Sequence, residues 1–214
     1  MRVLYVTSEA YPFCKTGGLA DVAGSLPPAL ARSGVEAAVI LPLYDKIGEQ
    51  WRRQMTFRRY IYVDLGWRHE YCGLFSLERQ GVTWYFVDNE KYFRRGRLYG
   101  EFDDGERFAF FSHAVIDLLP SLDWMPDVLH CNDWQTALVP IYLKDAATRW
   151  WENRPDVYKR QGPLGGGQPL RHHGRGRRGQ HHRVRRETQG AEKQPGLHGH
   201  LYLHLEKAAP IPHR

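Results

Sequence analysis

The chain has 214 residues, 42% hydrophobic and 25% charged, the balance of an ordinary soluble globular protein. That excludes a collagen, a coiled coil and a wholly disordered chain, and the length admits one large domain or two small ones. The net charge of +6 is uneven: residues 1–158 hold 18 Lys+Arg and 21 Asp+Glu, whereas residues 159–214 hold 12 and 3.

The longest apolar run, Ala37 to Leu41, is far short of the ~20 residues that cross a bilayer. Val3 to Val6 is too short for the core of a signal peptide, and Glu9 follows at once, so a cytoplasmic protein is expected. Cys14, Cys72 and Cys131 are an odd number at wide spacing, which points to neither a disulfide framework nor a zinc site.

In chain order, Arg2 to Val6 suits a buried strand. A polar loop and Lys15-Thr16-Gly17-Gly18 follow. From Leu19 the apolar residues Leu19, Val22, Ala23, Leu26 and Leu30 recur at helical spacing, with Gly34 as a stop. Pro27 and Pro28 inside this pattern are expected to kink or divide the helix. Ala37 to Leu41 reads as a second buried strand, completing a βαβ unit with a right-handed crossover. The middle reads as antiparallel: Arg59 to Leu65 and His69 to Leu77 alternate around Gly66-Trp67, and Val82 to Val87 is a strong strand. Phe108 to Leu119 is helical, Asp127 to Cys131 is a short buried strand, and a helix is expected from Trp134 or Gln135 to about Lys144. Strands alternating with helices predict a doubly wound, Rossmann-like α/β domain over residues 1–155.

Residues 156–214 read differently, as a basic, low-complexity, non-globular tail. Beyond Tyr158 only about a fifth of the residues are hydrophobic, and Tyr202 is the one aromatic, while 8 of the chain's 11 histidines lie there. That is too little apolar surface to offset the entropy of ordering a core. A disordered tail and a phosphate-binding arm are both consistent with the charge. The favoured reading is a frameshifted or mis-assembled segment, because Arg, Gly, Pro, His and Gln are what GC-rich DNA yields out of frame. The adjacent pairs His172-His173 and His181-His182 lack the i, i+4 spacing of helical metal ligands.

Three clusters bear on chemistry. Lys15-Thr16-Gly17-Gly18, between a strand and a helix N-terminus, suits a phosphate: close backbone approach, free N–H groups, the helix dipole and a point charge. It is neither G-x-G-x-x-G nor a Walker loop, and it equally suits a tight turn with a solvated lysine. His130, Asn132 and Asp133 close a second parallel strand, where open α/β sheets bind ligands. Asp133 also suits a helix N-cap, and His130 a satisfied core histidine. Asp103-Asp104, with Glu101 and Glu106, fits an acidic helix entry better than acid–base work.

The run V-L-Y-V-T-S-E-A-Y-P-F-C-K-T-G-G-L-A-D-V-A-G-S-L-P, then D-N-E-K-Y-F (88–93) and P-D-V-L-H-C-N-D-W-Q-T-A-L-V-P (126–140), resembles the N-terminal half of bacterial glycogen synthases and plant starch synthases. The resemblance spans about residues 1–150, and K-T-G-G-L-A-D with H-x-x-D-W is highly specific. It implies a GT-B fold of two Rossmann-like domains and transfer of glucose from ADP-glucose to the non-reducing end of an α-1,4-glucan, with retention. No cofactor and no catalytic metal are implied. By this resemblance Lys15, Gly17, Gly18 and Tyr99 would bind the sugar nucleotide, and Asp21, His130 and Asp133 would be the catalytic residues lining the cleft. The expected partners are ADP-glucose and the glucan, with no specific nucleic acid and no membrane. The family's H-N-x-x-Y-Q-G motif and its C-terminal domain have no counterpart in this sequence, so the chain as written is expected to be inactive alone. Half a cleft with a basic tail would leave a non-catalytic glucan- or nucleotide-binding fragment as the alternative. UDP-glucose also remains open as donor.

Overall fold

A computed structural model describes residues 1–150, 158–160 and 200–204 of the chain. Strands β1 (Arg2–Val6) and β2 (Glu36–Pro42) are buried almost throughout, as apolar runs covered on both faces should be. Between them α1 (Gly18–Arg32) turns Leu19, Ala20, Ala23, Pro27 and Pro28 inward. The expected division at Pro27–Pro28 does not occur. Each proline removes one ladder hydrogen bond, but both rings are buried, and docking this face on the sheet outweighs the loss. Gly34 then takes φ +82, a left-handed turn that glycine makes without a Cβ penalty.

After the single turn α2 (Glu49–Arg52) come β3 (Thr56–Leu65), β4 (Arg68–Arg79) and β5 (Val82–Asp88), the antiparallel run expected from the alternation. Strand β3 begins ahead of the expected Arg59, because a register irregularity between Phe57 and Arg59 lets pairing continue through it. The short α3 (Glu90–Phe93) and the long α4 (Asp104–Leu118) lead to β6 (Val128–Asn132). The helix expected from Trp134 is instead a 3-10 turn, Trp134–Thr136, followed by α5 (Val139–Trp150). Pro140 explains the later start: it has no N–H to give and so fits a first helical turn.

The sheet order is β3-β4-β5-β2-β1-β6-β8-β7. Strands β5, β2, β1 and β6 are parallel, while β4 runs antiparallel to both β3 and β5. Within the region expected as a tail, two stretches are described: β7 (Tyr158–Arg160) and β8 (His200–His204). They pair antiparallel beside β6. The remaining residues of that region, with its histidine pairs, lie outside the described residues, as do residues 151–155.

The chain moves one way along the sheet from β1 to β2 and the other way from β5 to β6. Right-handed crossovers in opposite directions put α1 and α4 on opposite faces. The order therefore reverses between β1 and β6, the kind of switch point where the strand ends leave a crevice. The three cysteines are free and buried.

Candidate functional site

The loops leaving β1, β5 and β6 gather at the carboxyl ends of the parallel strands. The loop after β1 is fixed from below by Glu9, which is 1% exposed. Its Oε2 accepts hydrogen bonds from the Thr16 N–H (2.5 Å) and from Thr16 Oγ1 (2.7 Å), and Thr7 Oγ1 donates to the Glu9 carbonyl (2.9 Å). A buried carboxylate is tolerated only when such donors satisfy it. Thr16 Oγ1 also meets the Tyr99 hydroxyl, so the β1 loop and the β5 loop are joined there.

Helix α1 begins directly above this anchor. Gly17 is its N-cap, and among the described residues no side-chain cap bond is made to its first turn. Those N–H groups and the positive end of the dipole favour an anion. Lys15 Nζ lies 2.7 and 2.6 Å from the two oxygens of Asp21, both side chains about half exposed. Gly17 is extended (φ −150), so its backbone angles do not demand glycine. What glycine leaves is room, since the nearest atom to a Cβ placed there is Glu9 Oε1 at 3.9 Å.

Across the switch point, β6 pairs directly with β1 and places Cys131 beside Val6. Asn132 is fully buried, and its Nδ2 donates to the carbonyls of Val6 (3.0 Å) and His130 (3.1 Å), locking the two strand ends together. His130 is 2% exposed and edge-on to Tyr5 at 4.5 Å between ring centroids. It lies within the packed sheet layer beneath the loops. Asp133 is partly exposed and stands at φ +63, ψ −178, a region natural to glycine alone, which costs a non-glycine residue about 1–3 kcal/mol. Its carboxylate accepts from the Trp134 N–H (2.7 Å), capping the 3-10 turn. Backbone outliers of this kind cluster at functional sites.

The β5 loop is organised by Arg107, which the sequence reading missed. Its guanidinium is fully buried and bonds Asp104 (2.6 Å), the Tyr92 carbonyl (2.7 Å) and the Leu98 carbonyl (3.1 Å). Leu98 immediately precedes Tyr99, so Arg107 sets where that tyrosine emerges. The acidic cluster is structural: Asp103 pairs with Arg95 (2.9 Å), Asp104 with Arg107, and Glu106 with Arg68 (2.8 Å). Glu9 was missed as well. The signal for it was a lone carboxylate directly after an apolar strand, where a charge needs a reason.

Burial pushes the Cys14 thiol up to about 12, a backbone hydrogen bond from Ala10 opposing and the nearby Glu9 reinforcing the shift. The thiol stays protonated and is no nucleophile at neutral pH. Among the described residues, no three His, Cys, Asp or Glu side chains group as metal ligands would, and no helix is long and apolar enough to cross a membrane. Lys15, Gly17, Gly18, Asp21 and Tyr99 thus meet around the start of α1. Asp133 stands at the end of the neighbouring strand, and His130 lies below.

Residues 2–158 match the family described as the starch synthase catalytic domain. The glycogen synthase of Clostridium botulinum (strain Eklund 17B / Type B) is 55% identical over 144 residues, which is 67% of this chain and 30% of that protein. The glycogen synthase of Halalkalibacterium halodurans is 54% identical over 144 residues, with the same coverage. Among solved structures, the catalytic domain of starch synthase IV from Arabidopsis thaliana bound to ADP and acarbose superposes with a TM-score of 0.63 at 32% identity, covering 70% of this chain and 31% of that one. The chain spans about 30% of the length of these relatives.

Proposed function

From the chain's membership of the starch synthase catalytic domain family, we propose that residues 1–150 form one wall of a glucosyl-transfer site that uses ADP-glucose and an α-1,4-glucan, with retention. The family is one of glycosyltransferases that make glycogen or starch, and the Rossmann-like unit is one half of their GT-B fold. The observation that carries the reading is the pairing of an uncapped α1 N-terminus beside Lys15 with a strained Asp133 across the switch point.

Glucosyl transfer builds negative charge on the departing diphosphate and positive charge on the sugar. The N–H groups of Gly18 and its neighbours, with Lys15, meet the first need. An arriving phosphate draws Lys15 away from Asp21, which leaves that carboxylate to face the sugar side. Asp133 offers a second oxygen from the opposite lip, and Tyr99 closes over the loop it touches through Thr16. His130 acts from beneath, keeping the end of β6 in register with Tyr5. The bound starch synthase IV, with its ADP and acarbose, supports the choice of donor nucleotide and glucan for this chain. No metal or cofactor is needed for this step.

The test is ADP binding and glucose incorporation into glycogen by the purified chain. One wall is expected to bind ADP weakly, to lose that binding in Lys15→Ala, and to give no turnover. Turnover by the 214-residue chain alone refutes the one-wall reading. Binding unaffected by Lys15→Ala refutes the phosphate site, and preference for UDP over ADP refutes the donor.

A further inference from the structure

The β3–β4 hairpin carries five of the chain's exposed large apolar side chains: Phe57 (49%), Tyr60 (57%), Tyr62 (51%), Trp67 (87%) and Tyr71 (37%). The register puts Tyr60 opposite Gly73, Tyr62 opposite Tyr71 and Asp64 opposite His69, so all share one face. The rings lie in a row. Tyr60 stacks on Tyr71 at 6.0 Å with planes 26° apart, and Tyr62 stacks on His69 at 4.5 Å and 10°. Gly73 lets this happen, since a Cβ there would stand 2.5 Å from the Tyr71 hydroxyl.

The row sits at the catalytic edge. The last β4–β5 pair is Gly73 with Asp88, so residues 68–72 and their partners in β3 project past the end of β5. That is the edge where β2, β1 and β6 end. With strands about 4.8 Å apart, β4 and β1 are about 14 Å apart across the sheet. The overhang is braced against α3 and α4, the helices on either side of the loop that carries Tyr99. Arg68 pairs with Glu106 (2.8 Å), Lys91 with Glu70, and Asn89 Nδ2 donates to the Tyr71 carbonyl (2.7 Å).

We infer that this tyrosine row is a second binding surface for an α-glucan chain, holding the acceptor beside the crevice; the inference rests on the glucan reading above. Ring faces carry partial negative charge and attract the C–H faces of sugars, while phenol hydroxyls, Asp64 and His69 at the rim suit sugar hydroxyls. The ligand is neutral and polyhydroxylated, which fits flat rings mixed with polar groups better than a purely apolar protein core would. The described tail strands β7 and β8 pair at the opposite edge of the sheet, so they do not cover the row.

The test uses the 214-residue chain in native gels containing glycogen, with ADP binding measured in parallel. The wild type should be retarded. Tyr60→Ala/Tyr62→Ala/Tyr71→Ala should lose at least about tenfold in apparent affinity while binding ADP unchanged. The milder Tyr62→Ala should lose part, and Tyr62→Phe, which keeps the ring, little. Retardation of the triple variant equal to wild type overturns the proposal. So does an unretarded wild type that still binds ADP, which leaves the crevice reading intact. Binding of neither ligand overturns both readings. A wild-type dimer that the triple variant abolishes and glycogen does not disperse overturns it in favour of a second copy of the chain.

Discussion

Replacing Asp133 by glycine and by alanine separates what its backbone costs from what its carboxylate does. Its φ of +63 and ψ of −178 fall where only glycine is at ease, a strain of about 1–3 kcal/mol. Its carboxylate holds the Trp134 N–H at 2.7 Å, a cap whose loss to alanine costs about 1 kcal/mol but to glycine only a few tenths. Asp133→Ala keeps the strain and loses the cap, so it should destabilise by about 1 kcal/mol. Asp133→Gly releases the strain, loses part of the cap and adds about 0.5–1 kcal/mol of unfolded-chain entropy. Glycine should therefore be more stable than alanine by about 1–3 kcal/mol, and close to wild type or above it. Urea titration followed by far-UV circular dichroism measures this at constant m-value. A glycine variant no more stable than the alanine variant refutes the strain argument. Both variants lose the carboxylate, so a stability gain with lost function is the signature of a site that keeps a strained residue for its work.

Glu9→Ala should cost about 2–3 kcal/mol, because the Thr16 donors lose a charged acceptor, and should speed hydrogen exchange at residues 15–18. Glu9→Gln should cost less, since it keeps an acceptor oxygen. Arg107→Met should cost about 3–5 kcal/mol by stranding Asp104, and Arg107→Lys should not restore stability, because one ammonium cannot serve three fixed acceptors; urea midpoints read both. Gly24→Ala should destabilise by about 1–3 kcal/mol, since its Cβ would overlap the Tyr11 carbonyl. Gly105→Ala, with open space around it in α4, should instead stabilise by about 0.5–1 kcal/mol. In the folded chain at pH 8, Cys14 and Cys131 should resist iodoacetamide, their thiols being pushed up to about 12 by burial, and both should react in denaturant; mass spectrometry counts the adducts.

The parallel half of the fold was legible because β1, β2, β5 and β6 are apolar runs with glycine or proline punctuation. The antiparallel hairpin was legible from alternation around Gly66-Trp67. What misled was local: Pro27 and Pro28 break an isolated helix, but burial against the sheet overrides that propensity. The helix expected after Asp133 starts later, at Val139, since nothing in the residues announces a left-handed backbone at an aspartate. The position of Lys15 to Asp21, at the turn from β1 into α1, was legible from motif and spacing. The supports of that turn were not, because Glu9 and Arg107 act through bonds to residues 7 and 9 positions away, and a side chain's burial is invisible in sequence. Asp103 and Asp104 were read correctly as structural, and their cationic partners lie nearby in the chain.

The pairing of β1 with β6 has a cost in time. Strand β1 leaves the ribosome first, yet Arg2 waits for Asp127, 125 positions later, and Val6 waits for the Asn132 amide, 126 positions later. At a synthesis rate of about 5–20 residues per second, that wait is about 6–25 s. Strands β2 to β5 can assemble meanwhile, leaving β1 as an unprotected sheet edge open to pairing with other chains. The crevice between β1 and β6 therefore forms only after all the strands on the other side of β1 have been made. A slowly translated or interrupted message exposes that seam first, and a chaperone guarding this protein would find its work there.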